Sequence, residues 1–160
     1  MQIADISQND LEEVWSLNDE SVPHVSRIDR DEMAWFAEHA QYFRVVRQGP
    51  ELAGFLIGLR PGLPYASPNY RWFSERYQDF GYIDRVAVAS TARRRGVATL
   101  LYKDFAVALD AGAAVMTCEV NIRPANESSM RFHRQFGFSE VGTQQTEGGK
   151  EKVALMEMRL

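Results

Sequence analysis

The apolar and polar positions fall into a series of short, well-bounded segments. MQIADI alternates and predicts a strand, after which Ser7 can cap a helix with Leu11, Val14 and Trp15 on one face. The pattern breaks at Val22-Pro23-His24. Asp29 with Glu32 three residues on is a capping-box-like start, and Met33, Phe36, Ala37 and Ala40 form the apolar stripe of a second helix. YFRVVRQ and LAGFLIGL flank Gly49-Pro50-Glu51 and predict an antiparallel hairpin. Residues 60 to 80, with three prolines and six aromatics, read as one long connection, too aromatic to be disordered.

YIDRVAVA predicts a strand, and Val97, Leu100, Leu101, Phe105 and Leu109 a helix ending near Gly112. AVMTCEVNI is the next strand. A helix then starts at Asn126, carries Met130, Phe132 and Phe136 on its apolar side and closes at Gly137. Two strands, near 138 to 145 and 151 to 159, join across Glu147-Gly148-Gly149. The order is strand, two helices, three strands, helix, strand, helix, two strands: a mixed sheet with helices on its faces.

At 160 residues and 45% hydrophobic content, one domain over 1–160 is expected. The balance of 18 basic against 22 acidic side chains, net −4, argues against nucleic acid or an anionic membrane as partner. A lone cysteine, Cys118, excludes an internal disulfide, and no Cys/His cluster has metal-ligand spacing. With no signal-like N-terminus and no run of ~18 apolar residues, a reducing cytoplasm is the expected location.

Against that acidic background, STARRRGVATLL at residues 90–101 stands out. A strand leading through a glycine into a helix leaves the first helical N–H groups unpaired at the positive end of the helix dipole, which suits a phosphate. Gly96 lets a ligand reach the backbone, the small Ala98 keeps the next turn open, and Thr99 adds a hydroxyl. Arg93, Arg94 and Arg95 raise the potential and can grip phosphate; the alternative is an ordinary solvated loop.

Arg93-x-x-Gly96-x-Ala98, after Val86-Ala87-Val88, resembles the acetyl-CoA signature of the GCN5-related N-acetyltransferase (GNAT) superfamily. Asn126, Ser129, Phe132, Gly137 and Phe138 resemble its second motif, and VPHV, SPNYRWF, YIDRVAVA and RPANESSMRFHRQFGF look like a bacterial branch of predicted acetyltransferases. The resemblance implies an α/β (α+β) GNAT fold: a central, mixed, mostly antiparallel seven-stranded sheet with about four helices and two splayed parallel strands at the acetyl-CoA site. It also implies that the backbone of Val86 and Val88, flanking Ala87, pairs with the pantetheine arm. By the same resemblance the amides from Arg94 through Arg95, Gly96, Val97 and Ala98 to Thr99 hold the pyrophosphate, with Arg93 or Arg94 near the phosphates. Asn126, Phe132 and His133 then belong to the cofactor-contacting set, although Asn126 can equally be a plain N-cap worth ~1 kcal/mol.

The chemistry so implied is direct attack of a neutral amine on the thioester, which needs a base, an oxyanion donor and an acid for the thiolate. A backbone N–H around Val86 to Val88 is the family's usual oxyanion donor. Tyr82 stands where some relatives carry a glutamate base. Asp84, two residues on and on the same face, is the nearest carboxylate, the alternative being a pair with Arg85; Glu119 and Asn121 are weaker candidates. His133 replaces the tyrosine that the family places near the cofactor's sulfur as acid, and it can protonate a thiolate, hydrogen-bond or only pack. Cys118, alternating with Met116, Val120 and Ile122, reads as a buried hydrophobe.

The acceptor would face residues 18 to 25 and 60 to 80, where Tyr65, Tyr70, Trp72, Phe73 and Tyr77 could form a wall or merely pin the connection, and Asp19, Glu20, Glu75 or Asp79 could attract an ammonium. A small or amino-acid-like amine is the favoured partner, and a homodimer is left open. The rival expectation is a non-catalytic acyl-CoA-binding or sensing protein; nucleic-acid binding through the arginines is a distant third.

Overall fold

A computed structural model describes residues 1–109 and 112–160. Strand β1 (Gln2–Asp5) leads through a 3-10 turn at Gln8–Asp10 into α1 (Leu11–Glu20). Ser7 begins that turn, with its backbone N–H and hydroxyl both donating to Asp10, at 2.9 and 2.8 Å. Helix α2 (Arg30–His39) starts where Asp29 accepts from the Glu32 N–H, as the spacing predicts. Strands β2 (Tyr42–Gln48) and β3 (Glu51–Leu59) make the expected hairpin.

The connection from 60 to 80 differs from expectation, because Pro68–Arg76 forms a helix, α3. The prolines that suggested a loop mislead here: Pro68 takes the first helical position, where no N–H is needed, and Ser67 caps by accepting from the Tyr70 N–H. Tyr70 and Phe73, three apart, then turn inward. The chain continues with β4 (Gly81–Val88), α4 (Val97–Leu109), β5 (Val115–Arg123), α5 (Glu127–Phe136), β6 (Ser139–Thr146) and β7 (Glu151–Arg159). The described residues thus hold five α-helices, not four. Helix α4 is described as far as Leu109; its expected end near Gly112 runs through residues 110 and 111, outside the described residues.

The seven strands form one sheet in the order β1-β2-β3-β4-β5-β7-β6. β1–β2, β2–β3, β5–β7 and β7–β6 are antiparallel, and β4–β5 is parallel, with Tyr82 in register with Thr117.

Two compact units divide the chain: Met1–Leu59 with Ile83–Ala108, and Arg60–Tyr82 with Leu109–Leu160. In the first, two glycines of β3 govern where α4 lies. A methyl on Gly54 would come within 2.8 Å of both the Ala87 carbonyl oxygen and Val97 Cγ1, and one on Gly58 would run into the Phe105 ring. Tyr42 and Arg44 of β2 hold the middle of α4, both donating to Asp104 Oδ2, at 2.8 and 2.7 Å.

In the second unit, Tyr70, Phe73, Phe80 and Tyr82 form a buried aromatic cluster, each such burial contributing ~1.5–3 kcal/mol. Helix α3 is stitched to β6 and β7. A methyl on Gly142 would lie 2.6 Å from the Trp72 indole, Gln144 Nε2 donates to Asn69 Oδ1 at 2.9 Å, and the Tyr77 hydroxyl donates to Glu157 at 2.7 Å.

Candidate active site

The candidate residues fall in both units and are taken unit by unit. In the first, β4 alternates: Ile83, Arg85 and Ala87 are buried, while Val86 and Val88 are half-buried and Asp84 exposes part of its backbone but little of its side chain. The strand's exit is fixed by the Ala89 N–H, which donates to the Ala53 carbonyl at 2.8 Å. A 3-10 turn at Ser90–Ala92 follows, with Ala92 buried beneath it. The backbone then passes through Arg94 at φ 64° and Gly96 at φ 80°, left-handed values that suit glycine and cost an arginine ~1 kcal/mol.

A Cβ on Gly96 would meet nothing within 4 Å. Packing does not demand glycine here; the backbone conformation does, and it leaves a bare strip of main chain open to a ligand. The first described bond of α4 runs from the Leu100 N–H to the Gly96 carbonyl at 2.9 Å, so the amides of Val97, Ala98 and Thr99 precede the helical ladder at its positive end. Val97, buried against the Gly54 position, pins this end in place. Such a cradle fits a pyrophosphate. All three arginines are exposed, but Arg95 turns toward the hairpin, its Nη1 donating to Gln48 Oε1 at 3.0 Å.

Asp84 makes the pair offered as its alternative. Its Oδ2 accepts from Arg85 Nε at 2.7 Å, and the two side chains are only 3% and 4% exposed.

In the second unit, the Tyr82 hydroxyl donates to both oxygens of Glu119, at 2.9 and 2.8 Å. The Tyr82 ring is buried against Tyr70 and Phe73, with centroids 5.6 and 5.8 Å away, so the hydroxyl is rigidly aimed. Sequence reasoning ranked Glu119 low. The signal that could have raised it is the parallel pairing of β4 with β5, which brings Tyr82 alongside Thr117, two residues before Glu119.

Asn126 caps α5, its Oδ1 accepting from the Ser129 N–H at 3.2 Å. The cap uses the side-chain oxygen, so the amide donors are a separate resource. His133 is the one fully buried residue of α5, where Phe132 is only half-buried. Its Nδ1 lies 2.7 Å from the Ser129 carbonyl oxygen and 3.3 Å from the Ser129 hydroxyl, and Phe132 and Phe138 stand edge-on at 5.3 Å. A carbonyl only accepts, so Nδ1 carries the hydrogen and Nε2 is the basic nitrogen of the neutral ring. Burial pushes its pKa below 6.5, with the Ser129 bond opposing.

Cys118 is buried and its thiol is pushed well up by that burial, which suits packing and not nucleophilic work. Most of the acidic acceptor candidates carry cations already: Asp19 pairs with Arg27 at 2.7 Å, Asp79 with Arg60 at 2.7 Å, and Glu75 lies 3.8 Å from Arg76. Among the described residues, no group of three or more His, Cys, Asp or Glu side chains could hold a metal ion, and no helix is long and apolar enough to cross a membrane.

The sequence matches the model of the acetyltransferase (GNAT) family over residues 5–138, most of the chain. The chain therefore belongs to that family of N-acetyltransferases, whose acyl donor is acetyl-CoA. Among solved structures it is similar to Ard1 from Thermoplasma volcanium, at 18% identity over 99% of this chain and 97% of that one, with TM-score 0.78. Arabidopsis thaliana NAA60 in complex with acetyl-CoA is similar at 16% identity over 99% and 98%, with TM-score 0.76. Ribosomal-protein-alanine N-acetyltransferase from Brucella melitensis is similar at 21% identity over 100% of both chains, with TM-score 0.71. At these identities the likeness is one of fold. No curated protein matches the sequence.

Proposed function

We propose that residues 1–160 act as one catalytic domain that moves the acetyl group of acetyl-CoA to a primary amine by direct attack on the thioester, in the reducing cytoplasm. The observation that carries this reading is the bare main chain at Gly96 ahead of α4, open where a Cβ would project and followed by the helix's unpaired amides. The amides from Arg94 to Thr99 hold the pyrophosphate, Arg93 or Arg94 supplies charge, and Arg95 keeps to Gln48. The backbone of Val86 and Val88, either side of Ala87, serves the pantetheine arm and the oxyanion. Asn126, Phe132 and His133 serve the thioester end.

The base is Glu119 and not Asp84. Asp84 is engaged with Arg85, whereas Glu119 is held by the Tyr82 hydroxyl and accepts the amine's proton directly or through a water. His133 Nε2 is the atom able to protonate the departing thiolate, since Nδ1–H is committed to Ser129. The acceptor is a small or amino-acid-like amine facing residues 18 to 25. Tyr70 and Phe73 of α3 are buried in their own unit, so they pin the 60–80 connection and hold it rigid.

Purified protein with acetyl-CoA and a panel of spermidine, tyramine, free amino acids and an alanyl peptide tests this by thiol release. Turnover on a small amine is expected. Acetyl-CoA binding without turnover on any acceptor would favour the sensing alternative, and turnover on the peptide alone would overturn the acceptor class.

A further inference from the structure

Arg85 lies in the interior of the first unit, where four elements meet on its guanidinium. Nε donates to Asp84 Oδ2 at 2.7 Å, Nη1 to Asn18 Oδ1 at 3.0 Å and to the Ser26 carbonyl at 2.9 Å, and Nη2 to the Ser26 hydroxyl at 3.0 Å. Asn18, fully buried on α1, also donates from Nδ2 to the Ser26 carbonyl at 3.2 Å. The Phe36 ring of α2 has its centroid 5.4 Å from the guanidinium carbon.

Stability alone does not call for this arrangement. Removing a guanidinium and a carboxylate from water costs several kcal/mol per ion, and apolar side chains of similar volume often serve a core as well or better. What the cation adds is direction. The connection between α1 and α2 has no fully buried residue from 21 to 27, so it has little apolar surface with which to fix itself. Its position depends on polar bonds: those to Ser26, the one from Trp15 Nε1 to the Ile28 carbonyl at 2.9 Å, and, at its two ends, the Ser21 hydroxyl to the Leu17 carbonyl and Arg27 Nη1 to Asp19 Oδ1, both at 2.7 Å. A planar fork of donors, aimed by Asp84, fixes a backbone carbonyl and a hydroxyl at once.

We propose that Arg85 is a positioning residue for the amine acceptor: it latches the 21–27 connection to β4 through Ser26 and Asn18, and Asp84 holds the fork in aim. This rests on the reading above that the connection faces the acceptor. The proposal also gives Asp84 a role that does not require it to exchange protons with substrate.

The test compares wild type with Ser26→Ala, Asn18→Ala, Arg85→Lys and Arg85→Met. Hydrogen exchange over 21–27 is measured alongside KM for acetyl-CoA and for the panel amine of highest turnover. Exchange in that segment is expected to rise about tenfold in Arg85→Lys, less in Ser26→Ala. The acceptor KM is expected to rise about tenfold while kcat and the acetyl-CoA KM stay within about twofold. A merely structural role would not produce that split. Unchanged exchange in every folded variant would overturn the latch, and faster exchange with unchanged acceptor KM would overturn its link to the acceptor. Should Arg85→Met not fold, Ser26→Ala still decides, since it removes one bond at an exposed residue. If the wild type binds acetyl-CoA but acetylates nothing, the proposed function fails while exchange still reports on the latch.

Discussion

The Tyr82 hydroxyl lies 2.9 and 2.8 Å from the two carboxylate oxygens of Glu119, so one hydrogen shared between them orients an acid 37 residues away and leaves each oxygen a further lone pair. If this carboxylate takes the amine's proton, Glu119→Gln lowers kcat about 10²–10⁴-fold with acetyl-CoA affinity retained, and Tyr82→Phe has a smaller effect. Steady-state kinetics with calorimetric binding checks this. Full turnover in Glu119→Gln would put the base elsewhere.

Gly96 separates ligand binding from folding. Its φ of 80° makes a β-branched side chain there cost ~1–3 kcal/mol, yet a Cβ meets no protein atom within 4 Å, so Gly96→Val should fold with a lowered melting temperature. Its affinity for CoA should fall at least about tenfold, because the branched chain occupies the space a phosphate would use. Unchanged affinity would remove the anion-site assignment.

Arg94 distinguishes main chain from charge. At φ 64° it pays for its conformation, so Arg94→Gly should stabilise the fold by ~1 kcal/mol. If the amides do most of the binding, CoA affinity falls only a few-fold, and Arg95→Ala leaves it unchanged. A larger loss in Arg94→Gly, suppressed by salt, would show that the guanidinium dominates.

His133 should leave two opposite marks on pH dependence. As the acid it must be protonated, so turnover falls as pH rises through a ring pKa lying below 6.5, and His133→Phe removes that limb while binding CoA. Stability runs the other way. Below 6.5 the unfolded chain takes up the proton more readily than the buried ring, so this contribution is complete at neutral pH and is lost as pH falls toward the folded pKa. Denaturation of wild type and His133→Phe at about pH 7.5 and 5.5 measures it: the variant should lose less stability. Identical losses would mean that the ring is not held neutral.

Much of this was legible in the chain. Ser7, Asp29 and Asn126 mark helix starts by local chemistry, and alternation marks β4 and β5, because both signals act over a few residues. Helix α3 was hidden because a proline reads as a breaker until the capping serine before it shows that it is a starter. Arg85 and Glu119 were undervalued for a different reason. Their partners, Ser26, Asn18 and Tyr82, lie far off in sequence, and only the packing of α1 and the parallel register of β4 with β5 brings them together.

Gly54 and Gly58 turn β3 into a bed on which a helix can lie close. The height of α4 above the sheet is therefore set by two missing side chains, and with it the reach of the amides at Val97 to Thr99. A single methyl at Gly54 would act on the anion cradle from underneath, pushing on the Val97 side chain while leaving the ligand's own space unoccupied. Selection on donor affinity can thus act at a buried hairpin strand, where no reading of a binding motif would look for it.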